Sequence, residues 1–291
     1  MINELLNFEK LSNKFNDLIK NNKNKIKPLK TNFFFIDENI GGLQPRQIYF
    51  LASRPGVGKT AFLLNLINNV LKQIKENEYL LFFSLEVSAL DIYKKFLALN
   101  SKISINLTDC ENLDVLPQIE EAQSFLMNKN LLIFDIDEKT NNELTTEKIS
   151  EIIQTFNSKN PGKVIKAIFI DYFQILDLKG NGLEYEKLAK ASRQLRRIAK
   201  FNNLNMFVLS QLSREYDKKQ TNLSPTFSDL KGSGNIEQDA DVIMFLYEPQ
   251  QEIISNLREP QITIAKNRNG RTTTTQLKFN DSIGLFYESQ N

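Results

Sequence analysis

The stretch Ser53-Arg54-Pro55-Gly56-Val57-Gly58-Lys59-Thr60 narrows what this chain can fold into more than any other. It follows an apolar run at 47–52 and opens a helical pattern at 59–74. A glycine-rich turn in that setting aims loop N–H groups and a helix N-terminus at one point, where the helix dipole favours an anion. Lys59 then reaches the outer phosphates of a nucleotide, and the Thr60 hydroxyl takes Mg²⁺. The strict pattern begins with glycine, and Ser53 departs from it by a small residue that leaves the loop open. The competing reading is an ordinary strand-to-helix turn that spells Gly-x-Gly-Lys-Thr by coincidence. A strand and a helix on the correct sides speak against it.

Beyond that loop, strand-like apolar runs at 79–84, 131–136, 164–172, 205–210 and 241–247 alternate with helical patterns such as 89–100 and 185–200. Continuous apolar strands separated by helices predict a mainly parallel sheet covered on both faces. The end of the chain differs. Asn269-Gly270 lies between β-type runs at 261–268 and 271–279, which predicts a tight hairpin with positive φ at both turn residues. At the start, Ile2, Leu5, Phe8, Leu11, Phe15 and Leu18 fall on one helical stripe, followed by a polar linker at 21–25. Seven lysines in residues 1–30 against Glu4, Glu9 and Asp17 leave that segment at +4. The stripe either folds back on its own domain or docks on a neighbouring subunit. The expected organisation is this helix and linker over 1–30, then one α/β domain over 31–291.

The strand at 164–170 runs into Asp171, a carboxylate at a strand end where the Mg²⁺ shell of a phosphate loop is held. Glu86 follows the strand at 79–85 and precedes Ser88, which with Asp91 forms a capping box for the next helix. Glu86 is therefore either a general base for an attacking water or an acid placed for that helix. Gln211 ends the strand at 205–210, either as a γ-phosphate sensor or as a polar strand end. The chain has no histidine and one cysteine, Cys110. Imidazole chemistry, an internal disulfide and a multi-cysteine zinc site are thereby excluded, and catalysis falls to carboxylates, lysine, arginine and metal. A formal net charge of +2 confines any nucleic-acid contact to local patches. The apolar runs are too short to span a bilayer, and acids interrupt the apolar residues at the start, so a cytoplasmic protein without membrane partners is expected.

Taken together, these segments resemble the ATPase domain of the DnaB-type bacterial replicative helicases. The resemblance rests on Gly42-Leu43-Gln44-Pro45, Arg54 through Lys59-Thr60-Ala61, Phe83-Ser84-Leu85-Glu86-Val87-Ser88, Ile170-Asp171-Tyr172-Phe173-Gln174 and Leu209-Ser210-Gln211-Leu212-Ser213-Arg214. It continues through Ser228-Asp229-Leu230-Lys231-Gly232-Ser233-Gly234, 236–241 and Ala265-Lys266-Asn267-Arg268-Asn269-Gly270. It implies a RecA-like P-loop NTPase that hydrolyses ATP with Mg²⁺ at subunit interfaces of a hexameric ring and moves 5′ to 3′ on single-stranded DNA. Glu86 falls on the family's catalytic glutamate, Asp171 on its Walker B acid and Gln211 on its sensor. Lys266 and Arg268 fall on the cations inserted into a neighbour's nucleotide site. Charges two residues apart at a hairpin tip share one face, and an added cation neutralises the transferring phosphoryl group. The DNA-contacting loops of the family map to 213–235, with Arg214, Lys231, Gly232, Ser233 and Gly234; the family more usually has Arg-Glu where this chain has Lys231 and Gly232. A solvated surface loop is the plainer reading of that stretch.

Full-length members carry a helical N-terminal domain that binds primase, whereas about thirty residues precede the motor here. The resemblance therefore covers a fragment or a short paralogue, with primase, a helicase loader or a full-length helicase as partners. Two other readings stand beside the motor. One is a RecA-type recombination or regulatory ATPase that binds DNA without unwinding it. The other is a truncated paralogue that regulates helicase rings, against which the intact Lys59, Thr60, Glu86 and Asp171 speak.

Overall fold

The computed structural model describes residues 7–20, 27–104, 115–135, 144–176, 183–216, 224–230, 233–249 and 257–288. All six expected strands form: β1 Ile48–Ser53, β2 Glu78–Ser84, β3 Leu131–Asp135, β4 Val164–Asp171, β5 Asn205–Gln211 and β6 Val242–Tyr247. They pair in parallel in the order β6-β1-β5-β4-β2-β3. The helices are α1 Phe8–Lys20, α2 Phe34–Ile40, α3 Lys59–Leu71, α4 Ala89–Ser101, α5 Leu116–Met127, α6 Thr146–Lys159, α7 Glu184–Phe201 and α8 Ser233–Asp239. β1 shows why both faces need cover, since all six of its residues are buried. Ile48, Phe50 and Ala52 enter one core with Ile149 of α6 and Leu195 of α7. Tyr49 and Leu51 enter the other with Phe62 and Leu66 of α3 and Phe96 of α4. The alternation is the period of two that a pleated strand imposes.

Beyond β6 the sheet continues antiparallel through β8 Gln261–Asn267, β9 Thr273–Asn280 and β10 Leu285–Glu288, with a short β7 Leu257–Arg258 paired to β9. The hairpin is present, but its turn is not the tight one expected. The last β8–β9 pair is Ile264 with Thr273, because β8 runs on to pair Lys266 and Asn267 with β6. Neither Asn269 nor Gly270 has positive φ. Gly270 is needed for room instead: a Cβ there would lie 2.5 Å from Asn267 Nδ2 and 2.7 Å from the Asn39 carbonyl oxygen. The Asn267 amide donates to that same carbonyl at 2.9 Å, and its Oδ1 accepts the Asn269 N–H at 3.1 Å.

The two ends of the domain close over α3 and the start of α2. α2 starts after Phe33, which offers no side-chain cap. Glu288 of β10 supplies the acceptors, taking the Phe34 and Phe35 N–H groups at 2.7 Å each. Asn65 of α3 donates to the Gly284 carbonyl at 2.7 Å and accepts the Phe286 N–H at 3.1 Å. Leu29 is buried and exchanges both backbone bonds with Leu43, so the packed unit reaches back to residue 29. α1 does not bury its apolar stripe on its own domain: Phe8, Leu11 and Phe15 are exposed. The expected linker at 21–25 and the start of the stripe at Ile2 and Leu5 lie outside the described residues, as does Cys110. Among the described residues, no helix is long and apolar enough to cross a membrane.

Candidate active site

The parallel order β1-β5-β4-β2 sets four strand ends side by side at their carboxyl edge, where open α/β sheets form their ligand crevice. Register aligns them: Ser53 of β1 pairs with Gln211 of β5, and Ser84 of β2 pairs with Asp171 of β4. The loop from Arg54 to Gly58 joins β1 to α3. Gly56 and Gly58 have φ of +84° and +99°, which side-chain-bearing residues rarely adopt. A Cβ on Gly58 would also sit 3.0 Å from the rings of Phe279 and Phe286, while one on Gly56 would meet nothing within 4 Å. Gly58 is the N-cap of α3 and offers no side-chain acceptor, so the first N–H groups of the helix are left for an anion. Ser53 is fully buried, and its hydroxyl bonds the Arg54 carbonyl at 3.1 Å. The Arg54 guanidinium reaches across to the Leu212 carbonyl at 2.9 Å. Pro55 and Val57 complete the turn. Ala61 lines a hollow of about 850 Å³ between α3, α4 and the turn at Asp281 and Gly284.

Thr60 Oγ1 donates to Asp171 Oδ2 at 2.6 Å. Asp171 Oδ1 is buried and has no hydrogen-bond partner. Burial pushes the Asp171 carboxyl above the usual carboxylate range; Lys59 and the Thr60 hydroxyl pull it down, and Glu86 pushes it further up. Burial likewise draws the Lys59 ammonium below its ordinary value, opposed by the charges of Asp171 and Glu86. Lys59 and Asp171 thus each feel the other and the charge of Glu86, so the loop lysine lies within electrostatic reach of both acids. The Lys59 Nζ lies 4.6 Å from the centre of the Tyr172 ring. Glu86 is exposed just beyond β2, where the Leu85 N–H bonds the Asp171 carbonyl at 2.9 Å and Ser84 Oγ bonds the Val87 carbonyl. α4 has its own cap, with Ser88 accepting the Asp91 N–H, so it does not depend on Glu86. Gln211 receives the Gln174 carboxamide oxygen on its backbone N–H at 3.2 Å, and Gln174 also donates to Ser210 Oγ at 2.8 Å.

Lys266 and Arg268 are not part of this cluster. β8 is antiparallel to β6, and Asn267 pairs with Val242, which stands opposite Tyr49 at the other end of β1 from the loop. There Lys266 Nζ donates to the Glu237 and Ala240 carbonyls, the latter at 2.8 Å, and Arg268 Nη2 to the Gln238 carbonyl at 2.5 Å. Arg196 adds a bond to the Asp239 carbonyl at 2.7 Å. Cations at the carboxyl end of α8 satisfy its last carbonyls and oppose its dipole. The described parts of the stretch at 213–235 are less loop-like than their composition suggests. Leu212 bridges Leu230, Ser213 N–H bonds the Asp229 carbonyl at 2.7 Å, and Asp229 and Leu230 are buried. Arg214 is exposed. Ser233 and Gly234 begin α8, while Lys231 and Gly232 lie outside the described residues.

Sequence reasoning misses Tyr172 beneath the lysine, Gln174 between two strand ends, and Arg258, whose guanidinium bonds the Gly56 carbonyl at 2.9 Å. The first two lie within three residues of Asp171, which is signal enough to suspect them; nothing near Arg258 marks it.

A glycine-rich anion loop at the carboxyl edge of a parallel sheet, with a lysine, a hydroxyl and two acids gathered on it, defines a RecA-like P-loop NTPase domain. The chain belongs to the DnaB-like helicase C-terminal domain family, whose sequence profile matches residues 28–288. It is 33% identical over 272 residues to the replicative DNA helicase DnaB of Mycoplasma genitalium, covering 90% of this chain and 56% of that protein. Against the replicative DNA helicase DnaB of Geobacillus stearothermophilus it is 31% identical, covering 90% and 57%. This chain therefore spans just over half the length of these relatives. Among solved structures it is similar to an isolated ATPase domain, with a TM-score of 0.83 and 26% identity over 99% of this chain and all of that one. It is also similar to a DnaB-like replicative helicase studied for its interactions with primase, with a TM-score of 0.80 and 27% identity, covering 99% and 68%.

Proposed function

We propose that this chain is the ATP-hydrolysing motor of a replicative DNA helicase, working in a hexameric ring that moves 5′ to 3′ along single-stranded DNA and unwinds duplex. One observation carries the reading: Lys59, Thr60, Asp171 and Glu86 meet at neighbouring strand ends around an anion-receptive loop. The donor set also fits Mg²⁺. A buried carboxylate oxygen without a proton donor, Asp171 Oδ1, beside a hydroxyl suits a hard cation. Thr60 and Asp171 would hold the ion, which when bound neutralises charge on the outer phosphates.

The chain's own residues do the rest. Loop N–H groups from Gly56 to Lys59 bind the phosphates, and Lys59 leaves the Tyr172 ring to meet the outermost one. Glu86, exposed just beyond β2 and within electrostatic reach of Asp171, takes the proton of the attacking water. As that oxygen bonds the γ-phosphorus, the bond to the bridging oxygen breaks and ADP leaves. Gln211 senses the γ-phosphate through the strand end it shares with the loop. Lys266 and Arg268, facing away from their own loop, complete the site of the adjacent protomer. Arg214, Lys231, Gly232, Ser233 and Gly234 carry DNA phosphates without reading bases. The setting is the cytoplasm, with primase, a loader or a full-length helicase as further partners.

The test is ATP hydrolysis with Mg²⁺, with and without single-stranded DNA, alongside sizing in a non-hydrolysable analogue. Stimulation by DNA and a ring-sized species are expected. Hydrolysis indifferent to DNA from a persistent monomer would defeat the motor reading, and a forked duplex with free 5′ or 3′ tails tests unwinding and direction.

A further inference from the structure

A phosphate loop works only if its N–H groups point inward, which requires its carbonyls to point outward and find partners there. At Gly56 no side chain can fix that turn, and a Cβ built on it would face open space. The outward carbonyl is held by a residue 202 positions further along: Arg258 Nη2 donates to it at 2.9 Å. Arg258 is itself locked. Its Nε and Nη2 donate to the two carboxylate oxygens of Glu248 at 2.6 Å each, a forked pairing with little freedom. The guanidinium also lies 5.3 Å from the centre of the Phe279 ring, and Asp281 stands 3.8 Å from Nη1. With only 14% of its side chain exposed, Arg258 is no solvated surface cation.

The same ribbon serves the loop's other glycine. Arg258 of β7 pairs with Phe279 of β9, and Phe279 stacks on Phe286 of β10 at 4.1 Å to form the floor beneath Gly58. One antiparallel attachment thus touches the loop at two points, aromatic rings under Gly58 and a guanidinium on Gly56.

We infer that Arg258, set by Glu248, is a positioning residue for the nucleotide phosphates: it holds the Gly56 carbonyl outward so that the loop is preformed before any nucleotide arrives. Its contact is to protein backbone, so it acts through the loop, not on the reacting atoms. A preformed loop raises affinity because less ordering is left to binding. The inference rests on the reading of this loop as the ATP site.

Three variants of the full chain test it: Arg258→Ala, Arg258→Lys and Glu248→Gln. The first measurement is hydrogen exchange without nucleotide. Arg258→Ala should speed exchange in the peptide covering 54–59 at least several-fold while β4 and β5 keep wild-type protection. The second is steady-state hydrolysis, where the KM for ATP should rise roughly tenfold, the worth of one charge-assisted hydrogen bond, with kcat changed less than twofold. Arg258→Lys should recover part of both effects, and Glu248→Gln should show both more weakly. Unchanged exchange in the loop peptide, exchange raised across the whole chain, or a fall in kcat at unchanged KM would each overturn the assignment. If the unaltered chain bound no ATP, the functional reading would fail, and the exchange comparison alone would still decide what Arg258 does.

Discussion

Gly56 and Gly58 share a motif and a positive φ, yet the structure gives alanine a different cost at each. At Gly56, Gly56→Ala meets nothing within 4 Å and suffers only the left-handed backbone, about 1–2 kcal/mol. Gly58→Ala suffers that and also drives a methyl 3.0 Å from two rings. Those rings cannot retreat, because Phe279 and Phe286 are stacked at 4.1 Å, both are buried, and Phe286 abuts Phe62 at 5.4 Å. Overpacking of a rigid core costs about 1–3 kcal/mol, so Gly58→Ala should lose that much more than Gly56→Ala. Stiffening of the unfolded chain offsets both variants alike and drops out of the difference. At ~2.1 cal/mol/K per residue over 291 residues, the extra loss lowers the melting midpoint by a further ~2–5 °C. The assay is thermal and urea unfolding without nucleotide, with equal urea slopes confirming a common denatured state. Adding Phe279→Leu should restore part of the loss in Gly58→Ala and none in Gly56→Ala. Equal destabilisation by the two alanines would refute the packing argument.

Three further outcomes are expected. Glu86→Gln should keep ATP affinity within about twofold and cut turnover by roughly 10²–10⁴, the range for loss of a general base; near-normal turnover in a single-turnover assay removes Glu86 from the mechanism. Asp171→Asn bears on pH. Because burial raises the Asp171 carboxyl in the fold, the folded chain holds that proton more tightly than the unfolded one. Its contribution is thus fully present below the unfolded carboxylate range and is lost as pH rises through the raised folded value. Asp171→Asn should therefore stabilise the nucleotide-free chain more at pH 8 than at pH 4 while abolishing hydrolysis, and melting curves with the reverse order would contradict it. Arg268→Ala should leave its own loop intact, so mixing it with Glu86→Gln chains at equal amounts should restore activity at about one quarter of interfaces; mixtures as inactive as either parent would argue against donation to a neighbour.

The parallel core was legible because its strands are continuous apolar runs broken by helices, and such runs have few other uses. The loop was legible for a related reason, since glycines at fixed offsets before Lys59 and Thr60 answer a backbone demand. Glu86 and Asp171 could be named from strand ends, but their meeting depends on strand order, which local pattern does not carry. The hairpin turn misled because Asn269-Gly270 reports a local preference, whereas β8 answers to β6 on its other side and runs past the expected turn. Gly270 is there to let the Asn39 backbone approach. Arg258 was invisible for the opposite reason: its partner lies 202 residues away and no motif surrounds it.

The clasp between Asn65 and the strand ending at Glu288 has a consequence for synthesis. A ribosome delivers the loop and its helix well before their partners: the carbonyl that Asn65 seeks arrives 219 residues later, and the carboxylate that caps α2 arrives 254 residues after Phe34. During that interval the apolar face of α3 has no Phe286 to lie against. The nascent chain therefore carries its binding loop unsupported until β10 has been made, and a stalled or clipped product lacking β9 and β10 would be prey to proteases before it could hold a nucleotide.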